Sequence, residues 1–405
     1  LEISEWLEQV KPGQKVKVNG AVHTIRDMGT VAFVVLRKRE GLLQGVYEEG
    51  IAKFDLKDIK EAATIEVEGV LEENEKAPNG IEIRMETLRI LSEPVDEMMP
   101  LAISKWKLNT SLEAKLNYRS IALRNVRERA KFRIQEGLTR AFRDFLYSQG
   151  FTEIHTPKIG AKGAEGGANI FKLEYFHRPA VLAQSPQFYK QMMVGVFDRV
   201  FETAPVFRAE KHNTKRHLNE YTSLDFEMGY IDGFEDIMAM ETGYLQYAME
   251  LLEKEYTKEL KILGVTLPKV DKIPAVRFSE IKEKVAKKYQ HKMRNPFDLE
   301  PEEEQLISQY AKEEWGSDFV FVTHYPSKKR PFYAMDDPED ARFTLSFDLL
   351  FKGLEITTGG QRIHDYNMLV QKIEDRGMTQ EGMEQYLDTF KHGMPPHGGL
   401  GIGLE

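Results

Sequence analysis

The densest chemistry in this sequence lies at Val206-Phe207-Arg208-Ala209-Glu210, followed by a basic stretch with Lys211, His212, Lys215, Arg216 and His217, then Asn219-Glu220-Tyr221. Apolar runs on either side of a charged loop predict a hairpin of two strands, Arg199 to Arg208 and Tyr221 to Tyr230. Arg208 offers a planar fork of donors suited to a phosphate or a carboxylate. Glu210 offers an acceptor for an exocyclic amine such as that of adenine. A solvated, charged hairpin tip would account for the same residues taken alone. Asp348 and Glu355 are hard oxygen donors of the kind that hold Mg2+ bound largely through phosphates. Read as one strand, they stand seven residues apart and would face opposite sides unless a bulge intervenes, and Lys352-Gly353 is where the sequence could supply it. The ten histidines show no metal-ligand spacing, so a structural zinc is not expected.

These groups need a frame. With 405 residues, the chain is too long for one ordinary core and predicts two or three domains. In residues 13 to 92, Val16, Val18 and Val22 alternate with polar residues, Val31 to Leu36 run apolar, and Ile65, Val67 and Val70 alternate again. Turn signals separate them at Lys11-Pro12-Gly13, Asp27-Met28-Gly29 and Ala77-Pro78-Asn79-Gly80. Five short strands with one helical stretch near Ala52 to Ala63 predict an OB-type barrel over residues 1–92; an SH3-like barrel would look similar. Residues 93–120, interrupted by Pro94 and Pro100, read as a hinge. A long amphipathic helix is predicted from Asn125 to Gln149, with Phe132, Ile134, Leu138, Phe142, Phe145 and Leu146 on its apolar spacing and Gly150 ending it. Strands and helices then alternate to residue 405: a helix over Ile237 to Lys254, a Lys/Glu-rich insertion on the sheet over 255–330, and strands at Leu345 to Ile356 and Arg362 to Leu369.

Composition excludes several classes of function. The chain is 41% apolar and 30% charged, with a mean hydropathy of -0.46, as expected of a soluble globular protein. It holds no run of about 18 apolar residues and no signal-peptide pattern, which argues against a membrane or secretory protein. The absence of cysteine removes disulfides, thiolate nucleophiles and Cys-based zinc sites, and points to the cytoplasm. A net charge of -9 argues against coating nucleic acid through bulk positive potential, but leaves room for a local basic and aromatic site. The sequence starts at Leu1 without Met and stops inside a glycine-rich run, so it is read as a piece of a slightly longer protein.

Three segments in order carry a resemblance. Gly150-Phe151-Thr152-Glu153-Ile154-His155-Thr156-Pro157 follows the long helix, Arg208 centres the hairpin, and Gly398 to Glu405 closes the chain. This order resembles motifs 1, 2 and 3 of the class II aminoacyl-tRNA synthetases, across essentially the whole chain. The barrel at the front is similar to that of the aspartyl, asparaginyl and lysyl subgroup. The resemblance implies an α+β protein: a five-stranded OB-type anticodon-binding domain, a hinge, and a catalytic domain over 121–405 with a central antiparallel sheet flanked by helices. It also implies a homodimer, with Pro157 at an isologous interface. The family's motif 3 continues with an arginine after Glu405, and this chain has no residue 406.

Within the subgroup, Gln184-Ser185-Pro186-Gln187-Phe188-Tyr189-Lys190 resembles the aspartyl version of the amino-acid pocket, since asparaginyl enzymes lack a lysine at the place of Lys190. Lys190 and Arg362, in Gly359-Gly360-Gln361-Arg362-Ile363-His364, would then give two positive charges to one substrate carboxylate and leave a surplus against asparagine. A pocket built for one polar partner discriminates by roughly 10⁴–10⁵ without editing. By the same resemblance Glu165, in a loop freed by Gly166 and Gly167, closes over the amino acid and takes its ammonium, with Asp225 as second acceptor. ATP would be held by Arg208, Glu210, Arg216, His217, Leu218, Tyr221, Gly403, Leu404 and Glu405, and Mg2+ by Glu355, Thr358 and Asp348. The implied reaction is attack of the aspartate carboxylate on the α-phosphate, then transfer from aspartyl-adenylate to tRNA. In the barrel Arg26, Phe33 and Gln44 match anticodon-contacting positions, although Phe33 alone would read as core. Arg37-Lys38-Arg39 would supply charge for phosphates. His23 and Pro78 match archaeal-type enzymes that charge tRNA(Asn) as well as tRNA(Asp). The nearest alternative is an asparaginyl or lysyl synthetase; a different one is a synthetase-like protein without aminoacylation, either an ammonia-using asparagine synthetase or a non-catalytic tRNA binder.

Overall fold

The computed structural model describes residues 9–39, 41–96, 98–165, 169–211 and 218–405, which form two compact units, Leu1–Phe132 and Arg133–Glu405. Gly166, Gly167, Arg216 and His217 lie outside the described residues.

In the first unit β1 (Lys15–Asp27), β2 (Val31–Arg37), β3 (Leu42–Glu48), β4 (Thr64–Glu73) and β5 (Ile81–Ser92) close a barrel in the order β1-β2-β3-β5-β4. Period-two alternation puts Val16, Val18, Val22, Val34, Leu36, Ile65 and Val67 into one apolar core. The expected helix near Ala52 to Ala63 is only a 3-10 turn at Leu56–Asp58, held by a capping box between Asp55 and Asp58. The acids there favour local turn bonds over a continued helix. After the barrel come α1 (Leu112–Asn117) and α2 (Arg119–Ala122). Next is α3 (Val126–Ser148), whose Asn125 accepts from the amides of Arg127 and Glu128 while its Nδ2 donates to the carbonyls of Ile103 and Lys105. The division between units falls within α3, beyond the residue 120 expected from the sequence. Gly150, at φ +77, ends this helix: its amide bonds to Tyr147 and that of Phe151 reaches back to Leu146. Phe132 does not join the apolar face; it is exposed, with the Arg119 guanidinium 5.1 Å from its ring centre.

The second unit is built on an eight-stranded sheet of order β12-β13-β14-β15-β16-β11-β10-β6. Its strands are β6 (Thr152–Glu153), β10 (Arg199–Phe207), β11 (Glu220–Gly229), β12 (Ala275–Arg277), β13 (Phe319–Thr323), β14 (Ser346–Phe351), β15 (Leu354–Gln361) and β16 (His397–Gly403). A small sheet of β7 (Ile159–Gly160), β9 (Arg178–Leu182) and β8 (Lys172–Tyr175) stands apart. The helices are α4 (Gln187–Phe197), α5 (Glu235–Glu255), α6 (Thr257–Leu263), α7 (Phe278–Tyr289), α8 (Pro301–Trp315), α9 (Tyr366–Asp375) and α10 (Glu384–Lys391). The 255–330 segment, expected as an insertion on the sheet, puts β12 and β13 into the sheet itself. The strand expected over Arg362 to Leu369 is not formed. Asp365 caps α9 by accepting from the Met368 amide, and Leu369 and Ile373 are buried at helical spacing. The glycine run is neither tail nor loop: β16 lies between β15 and β11.

Candidate active site

Asp225 and Glu227 stand two apart on β11 and so share a face of the sheet. Opposite them in register are Gly401 and Gly399. A Cβ at Gly399 would land on the Phe226 carbonyl and the Glu227 carboxylate, and one at Gly401 would come 3.0 Å from Asp225 Oδ1. The glycines thus leave space for two acids in the middle of a sheet.

Two cations from distant segments enter that space. Lys190, on the buried side of α4, places Nζ 3.1 Å from Asp225 Oδ1 and 3.3 Å from Glu227 Oε2, and donates to the Leu400 carbonyl at 3.0 Å. Arg362, just past β15, donates through Nε to Glu227 Oε1 at 2.8 Å and through Nη2 to Oε2 at 3.3 Å. Burial pushes the Glu227 carboxyl up, but Arg362 and then Lys190 outweigh it and hold its pKa below the usual range. The expected meeting of Lys190 and Arg362 is therefore present, bridged by Glu227. The expected charge surplus is not: two cations face two buried acids. Nothing in the type of Glu227 marks it in the sequence; its two-residue offset from Asp225, across from a glycine, was the available signal.

Glu165 accepts from Ser185 Oγ at 2.6 Å and from the Tyr333 hydroxyl at 2.8 and 3.0 Å, and its amide donates to Gln184 Oε1 at 3.3 Å. Tyr333 is buried, with the Arg362 guanidinium 5.1 Å from its ring centre, so it links the Glu165 loop to the charged pocket. Gln184 also donates to the Asn169 carbonyl, and the Asn169 amide to Glu210 Oε2 at 3.1 Å. Gln187 goes elsewhere. It donates to Gln191, which also accepts from Tyr386 and meets His397 Nε2 at 2.9 Å. The other ring nitrogen of His397 lies 2.9 Å from the Pro395 carbonyl, which assigns the proton to Nδ1. Burial lowers the His397 pKa to about 4, keeping it neutral, and its carbonyl accepts from the Arg362 amide.

Arg208 ends the hairpin beside this pocket, its guanidinium 5.8 Å from the Tyr221 ring centre. Its buried Nε has no hydrogen-bond partner among the described residues. Burial alone would lower its pKa, yet Tyr221, Glu165, Tyr333 and Glu355 together raise it. A buried guanidinium nitrogen without an acceptor suits an incoming anion. Leu218 is exposed on the returning side. A Cβ at Gly403 would lie 3.9 Å from the Tyr221 ring, Leu404 donates its amide to the Thr222 carbonyl, and Glu405 accepts from the Thr222 amide through both oxygens at 3.0 and 3.1 Å.

Asp348 and Glu355 are not on one strand. Lys352 and Gly353, at φ +47 and +87, make a two-residue hairpin turn between β14 and β15. A bulge does occur, but at Ile356, where the register passes from Leu349↔Thr357 to Leu350↔Glu355. The extra residue turns Glu355 to the side of Thr358, whose hydroxyl donates to it at 2.8 Å. Asp348 lies opposite Thr358 and is already paired with Arg330 at 2.8 Å. The Glu355 carboxyl is raised, first by loss of water around it and then by the charge of Asp348. At the other edge of the sheet, buried Glu202 accepts from the amide and hydroxyl of Thr156 and pairs with Lys158, holding exposed Pro157 between them.

Residues 111–405 match the family described as tRNA synthetases class II (D, K and N), and residues 16–91 match the OB-fold nucleic acid binding domain. The chain belongs to the class II aminoacyl-tRNA synthetases. It is 48% identical over 399 residues to the aspartate–tRNA(Asp/Asn) ligase of Deinococcus radiodurans, covering 97% of this chain and 90% of that one. It is 39% identical to the aspartate–tRNA(Asp) ligase of Pyrococcus furiosus, covering 100% and 92%. The asparaginyl-tRNA synthetase of Pyrococcus horikoshii, solved with asparaginyl-adenylate, superposes with a TM-score of 0.89 at 29% identity, over 100% of this chain and 93% of that one.

The synthetase's barrel carries a second group of polar side chains. Arg26 and Phe33 are register partners, with the guanidinium 5.7 Å from the ring centre, and Arg26 Nη2 reaches Gln44 Oε1 at 3.4 Å. Gln44 donates to Glu82, which also accepts from Asn74, and the sequence reading missed both. Phe33 is half-buried and outside the barrel core. Pro78 opens the turn before β5, and Asn79 there bonds to the Leu42 carbonyl. His23 belongs to neither group; it is buried at a bulge in β1, with its pKa lowered to about 4 by burial and then by Arg37 and Arg129.

Proposed function

We propose that this synthetase activates L-aspartate with ATP and transfers it to tRNA(Asp), and to tRNA(Asn) as a second acceptor. The observation that carries the reading is the convergence of Lys190 and Arg362 on Glu227, beside the unpartnered Nε of Arg208. Because Lys190 and Arg362 are already held by Asp225 and Glu227, aspartate enters by exchange. Its ammonium takes Asp225 and Glu165, which frees Lys190 to join Arg362 on the side-chain carboxylate. Asparagine lacks the second carboxylate, so a displaced Lys190 would have no anion to take in place of Asp225. Gln184 would fix the Glu165 loop, Thr358 would lie close to the substrate, and Gln187 would act from behind through Gln191.

The aspartate carboxylate then attacks the α-phosphorus in line, the bond to pyrophosphate breaks, and aspartyl-adenylate remains. Arg208 donates to the α-phosphate as its charge builds, Glu210 takes the adenine amine, and Tyr221 stacks on the ring. Leu218, Gly403, Leu404 and Glu405 frame the nucleotide, and Arg216 and His217 would hold its phosphate tail. The donor set of Glu355, Thr358 and Asp348 fits Mg2+, since hard oxygens close enough for the charge of Asp348 to raise the Glu355 carboxyl suit a divalent ion. When bound there, it would draw charge from the ATP phosphates. A ribose hydroxyl of the tRNA next attacks the mixed anhydride and AMP leaves. Arg26, Phe33 and Gln44 read the anticodon, His23 and Pro78 bear on the choice of tRNA, and Pro157 sits at the interface of a homodimer. No helix among the described residues is long and apolar enough to cross a membrane, in keeping with a cytoplasmic site of action.

Pyrophosphate exchange with aspartate, asparagine and lysine tests the first step: only aspartate should support it. Charging of both purified tRNAs with aspartate tests the second, and strict rejection of tRNA(Asn) would remove relaxed specificity.

A further inference from the structure

Nothing in the proposed reaction uses the turn between α7 and α8, yet two buried polar atoms meet there without bonding. α7 ends on Gln290, held in the left-handed region at φ +53, and the His291 amide reaches back to the Ala286 carbonyl. α8 opens at Pro301, and just before it the Glu300 amide donates to Glu303 Oε2 at 2.9 Å. Phe278, Ile281 and Val285 of α7 share one apolar core with Ile307 and Ala311 of α8, so packing fixes both helix ends.

One ring nitrogen of His291 and one carboxylate oxygen each of Glu300 and Glu303 lie within 4.8 Å of one another. His291 Nε2 stands 3.7 Å from Glu303 Oε1, on side chains only 10% and 3% exposed. Among the described residues neither atom has a hydrogen-bond partner, and at 3.7 Å they do not bond to each other whichever ring nitrogen carries the proton. Lys282 does not fill the gap. Its Nζ lies 3.1 Å from Glu303 Oε2, the oxygen that also takes the Glu300 amide, and it donates to the carbonyls of Asn295 and Asp298. Oε1 is left over.

A buried nitrogen and a buried oxygen just beyond hydrogen-bond range, with a second carboxylate beside them, are placed as ligands of one cation. Mg2+ and Ca2+ take oxygen ligands, whereas an imidazole with carboxylates suits zinc. Zinc bonds of about 2.0–2.2 Å set tetrahedral ligands about 3.4 Å apart, close to the 3.7 Å already present. Glu302 Oε1, 3.9 Å from His291 Nδ1, is an outer partner able to keep the ring proton on Nδ1 and leave Nε2 its lone pair. We propose that His291, Glu300 and Glu303 bind one zinc ion, with water in the fourth position, tying the end of α7 to the start of α8. The inference needs neither the aspartate nor the tRNA reading.

The test begins with protein stripped of metal by a chelator. Zn2+ alone, without ATP, should bind and raise the melting temperature, and an excess of Mg2+ should not displace it. Loss of an outer partner costs about 10- to 100-fold in metal affinity, so loss of the ring itself in His291→Gln should weaken Zn2+ binding by at least about 100-fold. Co2+ in place of Zn2+ reads the geometry: the visible absorption of a four-coordinate ion should appear in the wild type and be absent from His291→Gln. A wild-type protein that Zn2+ does not stabilise overturns the site. So does a rise equally large in His291→Gln, which would put the ion on oxygen donors such as Glu355 and Asp348. If Mg2+ competes on equal terms, the ring nitrogen is not a ligand and the zinc assignment falls. Melting curves show whether His291→Gln has failed to fold; Glu300→Gln, at a half-buried position, then takes its place, and wild-type zinc affinity there refutes the three-ligand site.

Discussion

In the catalytic sheet three buried cations are matched by acids: Lys190 meets Asp225 and Glu227, Arg362 meets Glu227, and Arg330 meets Asp348, with the idle Nε of Arg208 beside them. In the barrel unit Arg37 feels the charges of Arg124 and Arg129, and among the described residues its buried Nη1 has no hydrogen-bond partner. On the function proposed above, the two ligands would account for the contrast. A small amino acid must displace contacts inside a dry pocket, so the pocket has to be stable before it arrives, which requires internal charge balance. A tRNA backbone would bring many anions to a wetter surface, where cations attract such a partner at a distance.

If that contrast is right, the largest effect comes from breaking the balance in the sheet. Glu227→Gln keeps the shape but takes from Arg362 the acid it is bonded to and leaves Lys190 with Asp225 alone. Breaking a buried pair of this kind costs about 3–5 kcal/mol. Urea unfolding should show that loss, and the KM for aspartate should rise with it. Wild-type stability in this variant would mean that the acids are not what keeps the two cations in place.

Arg208, Lys190 and Arg362 were legible in the sequence because their chemistry is in their type and their motif. Glu227 and Tyr333 were not, because their roles come from strand register and from contacts across more than a hundred residues, as between Tyr333 and Glu165. The barrel was legible because alternation over β1, β2 and β4 is a local property. The hairpin at Lys352-Gly353 was read as a bulge because φ above zero at both residues allows either, and only the pairing of β14 with β15 decides. Arg362 to Leu369 was read as a strand because a short apolar run carries no period of its own; the Asp365 cap was the signal for a helix.

The two regions also hold one buried histidine each, and their titration sharpens the comparison. His397 and His23 both have pKa values lowered to about 4 from 6.5, chiefly by burial. The unfolded chain therefore binds more protons between those values, so stability is full above pH 6.5 and is lost as pH falls toward 4, by roughly 3 kcal/mol for each. Unfolding midpoints across that window should fall, and His23→Gln should remove part of the fall. At neutral pH the order differs. His397 uses both ring nitrogens, on Gln191 and the Pro395 carbonyl, whereas His23 has an idle Nδ1. His397→Gln should therefore destabilise more than His23→Gln.

The smallest effect is expected on the barrel face proposed to read RNA, where Arg26 is exposed and Phe33 only half-buried. Phe33 lies half-buried under Arg26, outside the apolar core, so removing its ring takes away a platform and not a piece of packing. A base stacked there is worth about 1–3 kcal/mol. Phe33→Ala should raise the KM for tRNA by about 5- to 150-fold, the range that energy corresponds to, with little change in the unfolding midpoint. Phe33→Trp should restore it, since any aromatic plane can stack. A large loss of stability in Phe33→Ala would move this residue into the core, and would make the barrel face resemble the sheet it is being contrasted with.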